Sequence, residues 1–301
     1  MEAFVRKLRR AGKSHFVIQR NIDALRTPVN WAKARSLIEI PFEFKTLVLP
    51  KKDSRERGIL SDDEIGKIVA LQYAKTWVAD SGKAHFDTRA RPRQKGGILH
   101  GGAPMLDIRQ KAAILLALFA GLRRGEIRGL RWKDVNLENG YMQVQHNYVR
   151  FEGDKTPKKQ STGIVPIAPE LEVIIKEVRS LADFLGYTGP DDYVLPGSKR
   201  SMPVSETTIV RAWDRALELI GITLEERKER NLVFHGARHS YTTRLLDSGE
   251  LSSAEVAKLT RHRDLSMLTR YGGHTRDETI QKGRRALSLR KEETTDEKNR
   301  D

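Results

Sequence analysis

The sequence predicts a mainly α protein with a small three-stranded antiparallel sheet, divided into two domains. Apolar residues recur at helical spacing in the long segments 14–37 and 60–78, and an apolar run follows at 115–120. Asn139-Gly140, the strongest short hairpin signal, stands between two strand-like runs, and a third such run lies at 163–167. With 301 residues and 38% hydrophobic content the chain can bury a real core, and its length suggests two domains.

The chain opens with helices. Ser14 is a fitting N-cap for a helix to about Leu37, in which Phe16, Ile18, Ile22, Leu25, Val29, Trp31 and Ala34 form the periodic apolar set. Pro41, Pro50 and the charged run Lys51-Lys52-Asp53-Ser54-Arg55-Glu56-Arg57 interrupt any helix, so residues 51–59 read as a linker. Leu60-Ser61-Asp62-Asp63-Glu64 is a capping-box-like start for a helix to about Val78. The glycine-rich, basic stretch from Asp80 to Pro104 reads as a disordered, solvated loop, with a flexible phosphate contact through Arg89, Arg91 and Arg93 as the alternative. The apolar run 115–120 leads into a helix that carries Arg123.

The hairpin joins Asp134-Val135-Asn136-Leu137 to Tyr141-Met142-Gln143-Val144-Gln145. The basic loop Lys155-Thr156-Pro157-Lys158-Lys159 then precedes the third strand, Gly163-Ile164-Val165-Pro166-Ile167. Near the C-terminus, Ile280, Ala286 and Leu287 give residues 277–289 a modest apolar face on a charged helix. The last stretch, to residue 301, has almost no apolar content and is predicted to be disordered.

Lys and Arg exceed Asp and Glu by 55 to 40, a formal net charge of +15, which suits a polyanionic partner held by salt-dependent phosphate contacts. There is no cysteine, so disulfides, zinc thiolate sites and cysteine nucleophiles are excluded. No apolar run approaches a membrane span and no signal-peptide core is present, so the expected location is cytoplasmic and, given the charge, nucleoid-associated.

The chemistry-bearing residues are two arginines, two histidines and a tyrosine. Arg123 lies in Gly121-Leu122-Arg123-Arg124-Gly125-Glu126, His235 and Arg238 lie in His235-Gly236-Ala237-Arg238, and Tyr271 lies nine residues after His262. Arginine forks clamp the non-bridging oxygens of a phosphate, histidines move protons near neutral pH, and a tyrosine hydroxyl can attack phosphorus. Those are the groups that cutting a DNA strand without a metal needs. An arginine drawn toward apolar surroundings needs a partner, and Glu126 three residues on from Arg123 can supply one. Arg124, Arg128 and Arg131 are expected to be exposed, as structural pairs or DNA-backbone contacts.

The order and spacing of these blocks, from about Leu60 to about Thr275, resemble the catalytic domain of the tyrosine recombinases, the phage-integrase and Xer-like family. The resemblance implies a tyrosine-recombinase catalytic domain over 60–276, preceded by part of a helical core-binding domain over 1–50, with the helix and tail of 277–301 beyond it. Only the later helices of that first domain are matched, either because the protein is naturally short or because a longer one was cut there.

In this family Arg123 and Arg238 would be the clamps, Glu126 the acid that orients them, His235 the proton carrier on the tyrosine side, His262 a donor to a non-bridging oxygen and Tyr271 the nucleophile. A lysine between the second and third strands would protonate the leaving 5′ oxygen. Lys158 fits the Thr-Pro-Lys pattern, and Lys155 and Lys159 are the alternatives, otherwise DNA-facing together with Arg124 and Arg128. The chain departs from the family pattern at three places: Gly163 where many relatives have arginine, Gly236-Ala237 for the usual Asp-Leu, and Arg261-His262 for Gly-His. Tyr241 stands where relatives carry a core aromatic.

The implied function is site-specific strand exchange through a 3′-phosphotyrosyl link, with no cofactor and no metal, for integration or excision of a mobile element. The implied partners are double-stranded DNA with specific sites, a homo-tetramer on synapsed DNA and an accessory DNA-bending protein. In relatives the helix after the tyrosine docks on a neighbouring subunit; docking on its own domain is the alternative here. A type IB topoisomerase-like activity and a non-catalytic DNA-binding role are the competing readings.

Overall fold

A computed structural model describes residues 1–40, 43–51, 57–74, 77–80, 83–86, 106–149, 152–155, 162–197 and 199–261. It divides into two compact units, Met1–Glu56 and the remainder from Arg57.

The first unit is built on helices α1 (Glu2–Arg10) and α2 (His15–Lys33). The Ser14 hydroxyl caps α2 by accepting from Val17 N at 3.4 Å. Val5, Ile18, Ile22 and Phe44 form a small core. The helix is shorter than expected, because Ala34 caps it and Ser36 turns left-handed at φ 55°. Of the periodic apolar set only Ile18 and Ile22 are buried, while Phe16 and Trp31 are half exposed, at 50% and 54%.

The second unit begins with α3 (Asp62–Ala70), started by the reciprocal Ser61 and Glu64 capping box. It ends eight residues before the expected Val78. Two long-range contacts terminate it: the Lys111 ammonium donates to the carbonyls of Val69 (2.6 Å) and Leu71, and Tyr73 leaves in β1 (Tyr73–Ala74) to pair in parallel with Leu106 in β4 (Leu106–Asp107). Part of the stretch expected as loop is also ordered, since β2 (Trp77–Asp80) and β3 (Lys83–Phe86) form an antiparallel hairpin. Arg89, Arg91 and Arg93 lie outside the described residues.

Helix α4 (Ile108–Phe119) is the axis of the core. From Ala112 on it is apolar all round, as a helix enclosed by others must be, and it packs against α6 (Pro169–Leu185), α7 (Glu206–Leu219) and α9 (Gly236–Asp247). Ile114, Leu115, Leu116 and Leu118 are fully buried, and each such side chain contributes roughly 1.5–3 kcal/mol. Helix α5 (Arg124–Gly129) follows across a sharp turn.

The three-stranded antiparallel sheet is present, in the order β5 (Val135–Asn136), β6 (Tyr141–Val144), β9 (Gly163–Pro166). Asn136 pairs with Tyr141 across the Asn139-Gly140 turn, and Tyr141 pairs with Pro166 on the other side. The connection from β6 to β9 is more than a loop, because β7 (Asn147–Val149) and β8 (Gly153–Lys155) form a second hairpin within it. Lys155 ends β8, its side chain outside the described set, and Lys158 and Lys159 lie outside it altogether. The short helix α8 (Leu224–Glu229) precedes α9, and α10 (Ser253–Thr260) closes the described chain. Among the described residues no helix is long and apolar enough to cross a membrane.

Candidate active site

The site assembles where α4 ends. Helix α4 stops at Ala120, and Gly121 turns at φ 59°, a conformation that favours glycine. The turn is also closed sterically: a Cβ on Gly121 would stand 2.3 Å from Tyr241 Cδ1. Arg123 therefore does not ride inside a helix, as expected, but is the extended N-cap residue of α5, at φ −75° and ψ 157°. From there its backbone N–H and its guanidinium both reach Glu126, at 2.8 Å to Oε2 and 2.7 Å to Oε1.

Glu126 is the hub. Its side chain is 4% exposed, and three arginines surround it: Arg123, Arg261 at 2.9 Å and Arg238 at 4.0 Å. Burial acts to raise its carboxyl, but Arg261, Arg123 and Arg238 together hold it below the usual carboxylate range. The four side chains sum to three positive charges and one negative, a surplus of two that an anion would offset.

Arg238 is buried in the first turn of α9. Its Nη1 donates to the Gly121 carbonyl and its Nη2 to the Thr260 carbonyl, so the ends of α4 and α10 are tied to one guanidinium. Arg123 is the more accessible of the two, with 39% of its side chain exposed.

His235 occupies the N-cap position of α9. Burial first, then Arg57, His239, Arg238 and Arg123, push its imidazole down to about 4, which leaves it neutral at physiological pH and able to accept a proton. The His239 ring stands edge-on to it with centroids 5.3 Å apart, and the Arg57 guanidinium lies 3.3 Å from His239 Nε2. The neighbouring Gly236 stands at the first position of that helix. It permits close packing, since a Cβ there would stand 2.7 Å from the Gly58 carbonyl oxygen.

Arg123, Glu126, His235 and Arg238 are thus brought together as expected, whereas His262 and Tyr271 lie outside the described residues. Tyr241 is a core aromatic, as read from the sequence: it is 5% exposed and burial raises its hydroxyl.

The flanking arginines divide. Arg124 is exposed and pairs with Glu206 at 2.7 Å. Arg128, expected at the surface, is buried, donates to the Val204 carbonyl at 2.9 Å and lies over the Tyr148 ring. Arg131 is also drawn in, paired with Asp154 and Asp191 and stacked on Tyr193. Aromatic faces, carbonyls and carboxylates far along the chain engage both, where exposed side chains were expected. Sequence reasoning missed Arg57, His239 and, above all, Arg261, which had registered only as a departure from a glycine.

Residues 98–278 match the family model described as the phage integrase family. A tyrosine recombinase XerC-like protein of Caldanaerobacter subterraneus subsp. tengcongensis is 24% identical over 292 residues, which is 89% of this chain and 64% of that protein. The chain spans less than two thirds of the length of the curated relatives it matches. Among solved structures, the Tn1549 transposon integrase in complex with transposon right end DNA superposes with a TM-score of 0.66 at 15% identity, over 95% of this chain and 84% of that one. A lambda integrase dimer bound to a core site gives 0.54 at 18% identity, over 91% and 80%. At these identities the likeness establishes a shared fold.

Proposed function

We propose that the chain, which belongs to the phage integrase family, is a site-specific DNA recombinase that cuts and rejoins strands through a 3′-phosphotyrosyl intermediate. The observation that carries this is the Glu126 cluster, where three arginines share one carboxylate beside a neutral histidine. Such a site is short of negative charge, and a scissile phosphate supplies it.

In this reading Arg123 and Arg238 hold the non-bridging oxygens, and their fixed charge meets the charge that develops as phosphorus becomes five-coordinate. His235 accepts the proton of the Tyr271 hydroxyl as its oxygen attacks phosphorus. The bond from phosphorus to the 5′ oxygen breaks, Lys158 protonates that oxygen, and His262 donates to a non-bridging oxygen. Attack by the 5′ hydroxyl of a partner strand then reverses these steps and frees Tyr271. The bond energy is kept in the ester, so the exchange is nearly isoenergetic and needs no nucleotide.

Strand exchange joins two duplexes, so the working assembly would be a homo-tetramer on synapsed double-stranded DNA, aided where the site requires it by a DNA-bending protein. The first unit would belong to the core-binding domain and grip the duplex outside the active site. The relatives and the charge of +15 support a mobile-element role at the nucleoid.

The test is a nicked suicide duplex, on which cleavage cannot be reversed. The wild-type chain is expected to form a covalent adduct, Tyr271→Phe to bind the duplex and form none, and Tyr241→Phe to keep the adduct. An adduct in Tyr271→Phe would remove Tyr271 as nucleophile.

A further inference from the structure

Arg261 caps α10 in the left-handed region, at φ 54° and ψ 41°. Glycine adopts that conformation freely and an arginine does so only under strain, so something in the native fold must offset it. The offset lies in the side chain, which is only 1% exposed. It passes over Gly163 in β9, where an added Cβ would stand 3.0 Å from Arg261 Cγ. Its Nη2 then donates to Glu126 Oε2 at 2.9 Å and to the Gly121 carbonyl at 3.3 Å, while Nη1 donates to the Leu259 carbonyl at 3.2 Å. Two of the departures noted in the sequence are therefore one feature: the side chain absent at Gly163 leaves the space that the side chain at Arg261 fills.

We propose that Arg261 is a positioning residue for the phosphate clamp, acting through Glu126. The proposal rests on the reading above, in which Arg123 and Arg238 bind the scissile phosphate.

The two oxygens of Glu126 have distinct duties. Oε1 accepts from the Arg123 guanidinium, and Oε2 accepts from the Arg123 backbone N–H and from Arg261. With Oε2 occupied by Arg261, Arg238 stands farther from the carboxylate, at 4.0 Å, and its guanidinium is held by the Gly121 and Thr260 carbonyls. Without the Arg261 guanidinium, Oε2 would turn toward Arg238 and the Glu126 carboxylate would release its hold on Arg123. Both clamps would shift, and a misplacement of about 1 Å is enough to slow a reaction about 10²-fold.

The experiment uses the whole chain, the nicked suicide duplex and two variants that separate backbone from side chain. Arg261→Gly relieves the left-handed backbone but removes the guanidinium, whereas Arg261→Lys keeps a cation and the strained backbone. Single-turnover cleavage at saturating DNA is measured from pH 3.5 to 9, with DNA Kd and thermal melting in parallel.

Arg261→Gly is expected to cleave roughly 10–100-fold more slowly with Kd nearly unchanged, and Arg261→Lys to recover much of the loss. The acid limb of the Gly variant is expected to move to higher pH, because Glu126 has lost the largest of the charges that hold its carboxyl down. A Gly variant at least as fast as the Lys variant, or a slowed Gly variant whose acid limb stays in place, would overturn the proposal and leave Arg261 a packing residue. A wild-type chain that forms no adduct would instead overturn the recombinase reading and the proposal with it.

Discussion

Two ion-pair clusters in the second unit are built from the same residue types and do opposite things. Around Arg230, one guanidinium meets two carboxylates: Nη1 and Nη2 fork onto Glu64 at 2.6 and 2.9 Å, Nη1 also reaches Glu226 at 2.8 Å, and Nη2 donates to the Ile59 carbonyl at 3.1 Å. The donors are matched, Glu64 is held below its ordinary value chiefly by its hydrogen bond to Arg230, and the network closes on itself, joining α3 to α8. Around Glu126 the proportion is inverted, with three guanidiniums on one buried carboxylate and Arg123 facing solvent. A cluster whose one cation is fully met by its own carboxylates is a fastener. One that, among the described residues, carries two positive charges in excess and is open at Arg123 has what an anion site requires.

The contrast breaks first at the clamps. Arg123→Ala is expected to slow single-turnover cleavage roughly 10²–10³-fold, as for the loss of one donor to a developing oxyanion, with a smaller change in DNA affinity. Arg230→Ala is expected to leave the cleavage rate at saturating DNA unchanged. Equal losses in the two variants would erase the distinction between fastener and site.

A second contrast separates the carboxylates by stability. Glu126→Gln strands three buried or half-buried guanidiniums, and losing one partner of a buried pair costs about 3–5 kcal/mol. Glu64→Gln disturbs a network nearer the surface and is expected to cost about 1 kcal/mol. Because the folded carboxyl of Glu126 is held below its ordinary value near 4.5, its contribution is present above that pH and disappears as pH falls through the lower folded value. The difference in urea midpoint between wild type and Glu126→Gln should therefore be constant from neutral pH down to about 5 and close on further acidification. A gap that persists at low pH would mean that charge is not what Glu126 contributes.

The smallest effect sharpens the edge of the site. The imidazole of His235 is pushed down to about 4 mainly by burial, with Arg57 the next cause. Following its ring proton by NMR, Arg57→Ala should move the midpoint upward, still below the ordinary histidine value because burial remains. No movement would remove Arg57 from the electrostatics of the site.

What could be read from the sequence was what short stretches determine. The Ser14 cap, the Ser61 and Glu64 capping box and the Asn139-Gly140 hairpin each depend on neighbours within a few residues, and each formed as read. The pair Arg123 and Glu126 was legible for the same reason. What failed was decided by distant residues. Helix α3 ends early because Lys111 and Leu106, some forty positions on, take its last carbonyls and its exit strand. Arg128 and Arg131 are held inside by Tyr148, Tyr193, Val204 and two aspartates, none of which their local pattern announces. Arg261 meets Glu126 across 135 positions, and its one clue was an arginine standing where a left-handed turn would suit glycine.

The packing of Gly58 bears on how this molecule can be cut. A Cβ at Gly58 would overlap the Arg230 carbonyl oxygen at 2.0 Å, the Gly58 carbonyl lies against Gly236, Leu60 N donates to the Ser240 hydroxyl at 2.9 Å, and Arg57 reaches His239. Arg57, Gly58 and Leu60, just ahead of α3, are thus fitted against the first turns of the helix that carries Arg238. A fragment meant to retain the cleavage chemistry has to start at or before Arg57. One trimmed to the start of α3 would keep every residue of the arginine cluster and lose the brace beneath it, and tags or fusion partners belong upstream of residue 57 for the same reason.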